Sequence, residues 1–103
     1  MEIKHNRAEK QFEYTEGDQT GYLKYSIYRQ KNLAITHTKV PESMKGKGIG
    51  SALAKHAFDY AKEHNKMVMV YCPFVSKFLK KNPQFRNQLN PEYHPSSTMR
   101  KKK

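Results

Sequence analysis

The sequence is poor in the residues that define many small specialised domains. It has one cysteine, Cys72, so it can close no internal disulfide and build no cysteine-rich zinc site. A reducing interior is the natural compartment for such a chain, and a cytoplasmic protein is the expectation. Tryptophan is absent, and acidic residues are scarce: nine against twenty lysines and arginines, a formal charge of +11. No apolar run approaches the roughly 18 residues of a helical membrane span, so no membrane partner is expected. The opening MEIKHNRAEKQ has no apolar stretch of the signal-peptide kind. His5, His56, His64 and His94 are scattered without metal-ligand spacing, and no metal is expected.

What is present fits one domain with one modest core, since the chain has 103 residues of which 36% are hydrophobic. The charge is uneven. From Ser76 onward there are eight basic residues and one acidic, and four of the eight are Arg100 to Lys103. Such a tail adds nonspecific attraction to nucleic acids and other polyanions. A solubilising terminus explains it equally well.

Periodicity then orders the chain. Residues 2–14 read as two short strands around a polar turn near Asn6 to Glu9. TEGDQTG, residues 15–21, is turn material. GYLKYSIYRQ has the aromatic and β-branched content of a strand. Gln30, Lys31 and Asn32 make a short connection to the strand NLAITHTKV, which Pro41 ends because proline donates no ladder hydrogen bond. From Ser51 to His64 the period changes to that of an amphipathic helix. Leu53, Ala57, Tyr60 and Ala61 mark its apolar face, and Lys55, Asp59, Lys62 and Glu63 its wet one. KMVMVYCP reads as a buried strand, and FVSKFLKKN as a short helix with Phe74, Phe78 and Leu79 inward. The expected fold is α/β (α+β): a mixed, mostly antiparallel five-stranded sheet with a long helix after strand 4 and a short helix after strand 5. Residues 1–85 are expected to form the domain. Residues 86–103 are expected to form an irregular basic extension, with one helical turn around Arg86 to Leu89.

The segment VPESMKGKGIGSALAKHAF stands where the fourth strand hands over to the long helix. Gly46, Gly48 and Gly50 leave backbone bare, and the helix adds its unpaired N–H groups and positive end. Together these suit an anion with several oxygens, such as a pyrophosphate. Lys45 and Lys47 bring charge. The nucleotide-binding patterns fit badly. A Walker loop needs GxxxxGK, which is missing, and a GxGxxG fingerprint finds Ser51 in its third glycine position. By spacing alone, a tight loop whose glycines only permit close packing is the rival explanation.

VPESMKGKGIG resembles the pyrophosphate loop of the GNAT superfamily of acetyl-CoA-dependent N-acetyltransferases. In that pattern Gln or Arg, two residues, Gly, one residue, then Gly or Ala correspond to Lys45, Gly48 and Gly50. Lys45 departs from it, keeping the charge and losing the guanidinium fork. HTKVPESMKGKGIG together with CPFVSKFLKKNPQF is similar to the short single-domain members, over roughly Glu2 to Phe85. Phe85 stands where tyrosine is common. The resemblance implies acetyl-CoA as cosubstrate. It places the backbone of Thr38, Lys39 and Val40 along the pantetheine arm and acetyl group. The amides of Lys45, Gly46, Lys47, Gly48, Ile49 and Gly50, with Ser51 beside them, take the pyrophosphate. The strands ending at Val40 and Tyr71 splay apart to admit the thioester, and Cys72 lies near the opening.

The implied reaction moves an acetyl group to a primary amine, on a small molecule or a protein. It needs a neutral amine, an N–H donor for the oxyanion and a proton for the leaving thiolate. Cys72 could give that proton or carry the acetyl group transiently, and His37 is the base candidate. For each there is a plainer role: Cys72 as a packing atom, His37 as a hydrogen-bonding strand residue. Glu42 reads as a capping or solvated residue, and Lys80 and Lys81 as wet positions. Two other functions remain open. One is a basic nucleic-acid-binding module, with Tyr22, Tyr25 and Tyr28 as a stacking platform on an exposed sheet face. The other is an acyl-CoA-binding protein without catalysis.

Overall fold

The strands of this chain are set by side chains that alternate across the sheet. In the segment from Gly21 to Tyr25, Leu23 and Tyr25 are buried while Tyr22 and Lys24 are not. The computed structural model describes residues 2–90. Its elements are β1 (Lys4–Asn6), β2 (Gln11–Glu16), β3 (Gln19–Tyr28), β4 (Asn32–Lys39), α1 (Ile49–Glu63), β5 (Met67–Val70) and α2 (Pro73–Lys81). Short 3-10 turns cover Glu42–Met44 and Pro83–Gln88. The five strands lie side by side in chain order. β1 to β4 form an antiparallel meander, and β5 runs parallel to β4 after the α1 crossover. The expected sheet and its two helices are all present.

Two of the meander turns differ from the expectation: one is tighter, and the other starts one residue earlier. The expected turn 15–21 shrinks to Gly17 and Asp18, because Thr15 and Thr20 pair across the strands with their hydroxyls 2.9 Å apart. Gly17 takes the left-handed conformation the bend requires, φ 64°. The β3–β4 turn lacks glycine, so Arg29 and Gln30 themselves adopt positive φ, 54° and 62°. Asn32 opens β4 and closes this turn, its side-chain amide donating to the Tyr28 carbonyl at 3.2 Å.

α1 lies against β2 to β5, and α2 packs on α1 and β4. Leu53, Ala54, Ala57, Phe58 and Ala61 form the buried stripe of α1. Phe58 meets Phe78 of α2 and Phe85 at ring-centroid separations of 6.1 and 5.2 Å. Truncating a fully buried Phe of this kind costs about 3–5 kcal/mol. α2 buries Val75, Phe78 and Leu79, whereas Phe74, expected inward, is 39% exposed. It sits one residue into the helix, where its ring leans on α1 instead of the core.

Two further expectations change. The packed domain runs past Phe85: Leu89 is 2% exposed, bridges to Val68, and is followed by Asn90, whose N–H donates to the Val68 carbonyl. Its apolar side chain gives the last described residues a place in the core that their irregular spacing did not suggest. Residues 91–103, including Arg100 to Lys103, lie outside the described residues. The three tyrosines of β3 do not share an exposed face. Tyr25 is 7% exposed and its hydroxyl meets His5 Nε2, because position 25 alternates with 22 toward the helix side.

Candidate active site

β4 carries an irregularity that shapes everything near it. Lys24 pairs with His37, but Tyr25 pairs with Ile35, leaving Thr36 as an extra residue in β4. A bulge of this kind bends its strand and increases its twist. The parallel pairing of β4 with β5 ends at Ile35 and Val70, immediately before the bulge, with a last hydrogen bond from the Tyr71 N–H to the Ile35 carbonyl at 3.0 Å. Among the described residues, β4 from Thr36 to Lys39 has a strand partner only on its β3 side. The sheet therefore opens between two adjacent strands, at their carboxyl ends.

The loop after β4 is anchored at both ends. Met44 and Ile49 are 1% and 2% exposed and belong to the core. Between them, Gly46 and Gly48 take φ of 86° and 76°, and a Cβ on either would meet nothing within 4 Å. Their glycine identity answers to backbone conformation alone, since side chains rarely tolerate this region. Gly50 is the opposite case. It is already helical, and a Cβ there would come within 2.8 Å of Cε2 of Phe74. Two glycines thus shape the loop, and the third makes room for a ring.

Gly48 is the N-cap of α1 and offers no side chain to the first turn, which also contains no acidic residue. The first helical N–H groups consequently have no capping side chain, and the positive end of a 15-residue helix faces the loop. These residues line a cavity of about 660 Å³. That size suits small-molecule sites, about 300–1,000 Å³. Its wall runs from Thr38, Lys39 and Val40 through Lys45, Gly46 and Gly48 to Ile49, Gly50 and Ser51, with the Phe74 ring against Gly50. Of the residues expected to hold a cofactor, Lys47 is outside this wall. Its ammonium lies 3.0 Å from Glu16 at the end of β2. Lys45 is in the wall but 3.2 Å from Glu42, so its charge is shared with a carboxylate.

Cys72 and His37 are not brought together. Cys72 is 4% exposed, stands at the N-cap position of α2 without a side-chain capping bond, and points its thiol at Thr38, Sγ to Oγ1 3.3 Å. Thr38, on the helix-facing side opposite Leu23, lines the cavity. His37, one residue earlier, is exposed on the other face, its ring 5.9 Å from that of Tyr22. Strand alternation accounts for the separation. Sequence reasoning placed the Thr38 backbone in the site and overlooked its hydroxyl; it also missed Met44, Pro41 and the cavity-facing ring of Phe74. Nothing in the order of residues marks the pairing of Phe74 with Gly50, which needs the third dimension.

Among the described residues no cluster of three or more His, Cys, Asp or Glu is arranged to hold a metal. No described helix is long and apolar enough to cross a membrane.

A sheet opened beside a bulge, with a glycine loop and an uncapped helix at the opening, defines an acetyltransferase-like architecture. The GCN5-related N-acetyl-transferase family matches residues 11–89, and the chain belongs to that family. It is 30% identical over 95 residues to Protein NATD1 of Xenopus tropicalis, covering 88% of this chain and 87% of that one. The human Protein NATD1 is 28% identical over 95 residues, covering 88% of this chain and 84% of its own length. Among solved structures, a GCN5-like protein of Staphylococcus aureus shares the fold, with a TM-score of 0.69 at 24% identity over 86% of this chain and 87% of that one. Ard1 of Thermoplasma volcanium superposes with a TM-score of 0.54 at 26% identity, over 61% of this chain and 44% of Ard1.

Proposed function

We propose that the chain is an acetyl-CoA-dependent N-acetyltransferase that acts on a primary amine. The observation that carries this reading is the continuity of the cavity wall from the first turn of α1 to the unpartnered edge of β4 at Thr38 and Lys39 and on to Val40. A pyrophosphate suits the first end, because the amides there have no capping side chain and Gly46 and Gly48 bare the loop. An amide-bearing arm suits the second, because an unpaired strand edge offers N–H and C=O groups in a row. Bound there, acetyl-CoA brings an activated thioester.

The residues around it then divide the work. Backbone amides near Val40 stabilise the oxyanion as the amine attacks. The Cys72 thiol supplies a proton toward the leaving sulfur. Its burial and its absence from the cavity wall favour that role over acetyl carriage, which needs direct contact with the thioester. His37 is exposed on the opposite face and outside the cavity wall, so it shares no step with Cys72, and the amine's proton leaves to solvent. The net charge of +11 disfavours free polyamines. The nucleic-acid reading loses one of its three tyrosines, since Tyr25 is in the core.

Two measurements test this function. Coenzyme A should shift the backbone amide NMR signals of residues 45–51 and give a single calorimetric site. Labelled acetyl-CoA should transfer its acetyl group to benzylamine or Nα-acetyl-lysine faster than without protein. Unmoved signals at saturating coenzyme A overturn the binding site; bound coenzyme A with no acetyl transfer leaves an acyl-CoA-binding protein.

A further inference from the structure

The hydrogen bond between Cys72 and Thr38 separates two properties that a proton donor normally combines. Cys72 holds an acidic proton but is 4% exposed and does not line the cavity. Thr38 lines the cavity but is far too weak an acid to serve as a proton source. The thiol donates to Thr38 Oγ1 at 3.3 Å. Among the described residues the Thr38 hydroxyl has no other side-chain partner, so its own hydrogen is left to turn toward the cavity.

We propose that Thr38 and Cys72 act as a two-member relay that protonates the leaving thiolate of coenzyme A, with Thr38 as the group that touches the sulfur. The proposal rests on the acetyltransferase reading above. As the tetrahedral intermediate collapses, the carbon–sulfur bond breaks and its electron pair stays on sulfur. The sulfur takes the Thr38 hydroxyl proton while Oγ1 takes the Cys72 thiol proton. The two transfers are concerted, because a free threonine alkoxide is too basic to form. The product amide gives its surplus N–H proton to solvent, and the Cys72 thiolate recovers one from solvent before the next turnover. The net result is one amide and one free coenzyme A thiol.

This relay makes the side chain at position 38 matter in a specific way. Valine has the shape of threonine without the hydroxyl, and serine keeps the hydroxyl with less bulk. A threonine that only packs beside Cys72 would tolerate valine better than serine. A relay requires the reverse.

The test measures acetyl transfer from acetyl-CoA to benzylamine and to Nα-acetyl-lysine, with coenzyme A affinity read separately by calorimetry. Thr38→Val should lower kcat by on the order of 10²-fold, the low end for general acid catalysis, with coenzyme A affinity unchanged. Cys72→Ala should lower it to the same level, and the double variant should fall no further, as members of one unit behave. Thr38→Ser should retain kcat within about threefold.

Full kcat in Thr38→Val, or multiplicative losses in the double variant, overturns the relay and leaves the acetyltransferase reading standing. Coenzyme A binding without turnover overturns the relay together with the transfer reaction. No binding at all overturns the reading on which both depend.

Discussion

The ring of Phe74 occupies the space that a side chain on Gly50 would fill. The first turns of the two α-helices are therefore fitted directly to each other beside the cavity. Gly50→Ala must push that ring aside. Because the obstructing atoms are the far edge of a 39% exposed side chain, the ring can swing outward. Alanine also recovers up to about 1 kcal/mol of helix propensity over glycine. Stability should hence change by less than about 1 kcal/mol in urea titrations, while coenzyme A affinity falls as the cavity wall is remade. Gly48→Ala should do the reverse in its cause. It has open space but a φ of 76°, and it should lose roughly 1–2 kcal/mol to backbone strain. If Gly50→Ala proves the more destabilising of the two, the division of labour among these glycines is wrong.

The loop cations should contribute unequally. Lys47 is engaged with Glu16 away from the cavity wall, so Lys47→Ala should change the coenzyme A dissociation constant by less than about threefold. Glu42 places a carboxylate on that wall beside Lys45. Glu42→Gln should tighten binding at low salt by removing repulsion and freeing Lys45, and the gain should shrink as salt is raised. Calorimetry at two ionic strengths checks both; a large loss in Lys47→Ala would mean that Lys47 leaves Glu16 for the phosphates.

A separate pH dependence is built around β1. His5 stacks on Phe12 at 4.3 Å and meets Tyr60 at 4.7 Å, and its Nε2 faces the Tyr25 hydroxyl. Burial, then Arg7, His56 and His64, push its pKa below the ordinary value of 6.5. Burial, then Tyr60, pushes Tyr25 upward from 10.0. Both shifts suit a neutral phenol donating to a neutral imidazole. A depressed histidine means that the unfolded chain binds more protons than the folded one. Stability is thus full above the unfolded value near 6.5 and declines as pH falls from there toward the folded value. Urea midpoints should be lower at pH 5.5 than at pH 7.5, and His5→Phe, which keeps the stacking and removes the titration, should reduce that difference. An undiminished pH difference in the variant would assign it to other groups.

The sheet, both helices and the handover at the glycine loop were legible because each rests on local signals: strand alternation, helix period, Pro41 and the glycines. The span of the turns was not, since threonine pairing and the Asn32 cap depend on which strands meet. Tyr25 looked exposed because three tyrosines at three-residue intervals suggest one surface, whereas a period of two divides them. Leu89 was left outside the domain because its partner, Val68, is 21 positions away in the chain. At the site, the backbone segments were readable and the side-chain relationships were not. The bulge at Thr36 decides which strand residues face the helices and the opening, and no residue type announces it. Lys45 and Lys47 both read as loop cations in sequence; only folding brings Glu16 to Lys47.

The bare first turn of α1 has a consequence for how this surface tolerates drift. A grip supplied by peptide groups cannot be erased by exchanging ordinary side chains, so neighbouring positions are at liberty to diverge while the grasp survives. Its vulnerability lies elsewhere, in any exchange that bends the loop out of the left-handed region at Gly46 or Gly48, or that deletes an amide hydrogen by installing proline.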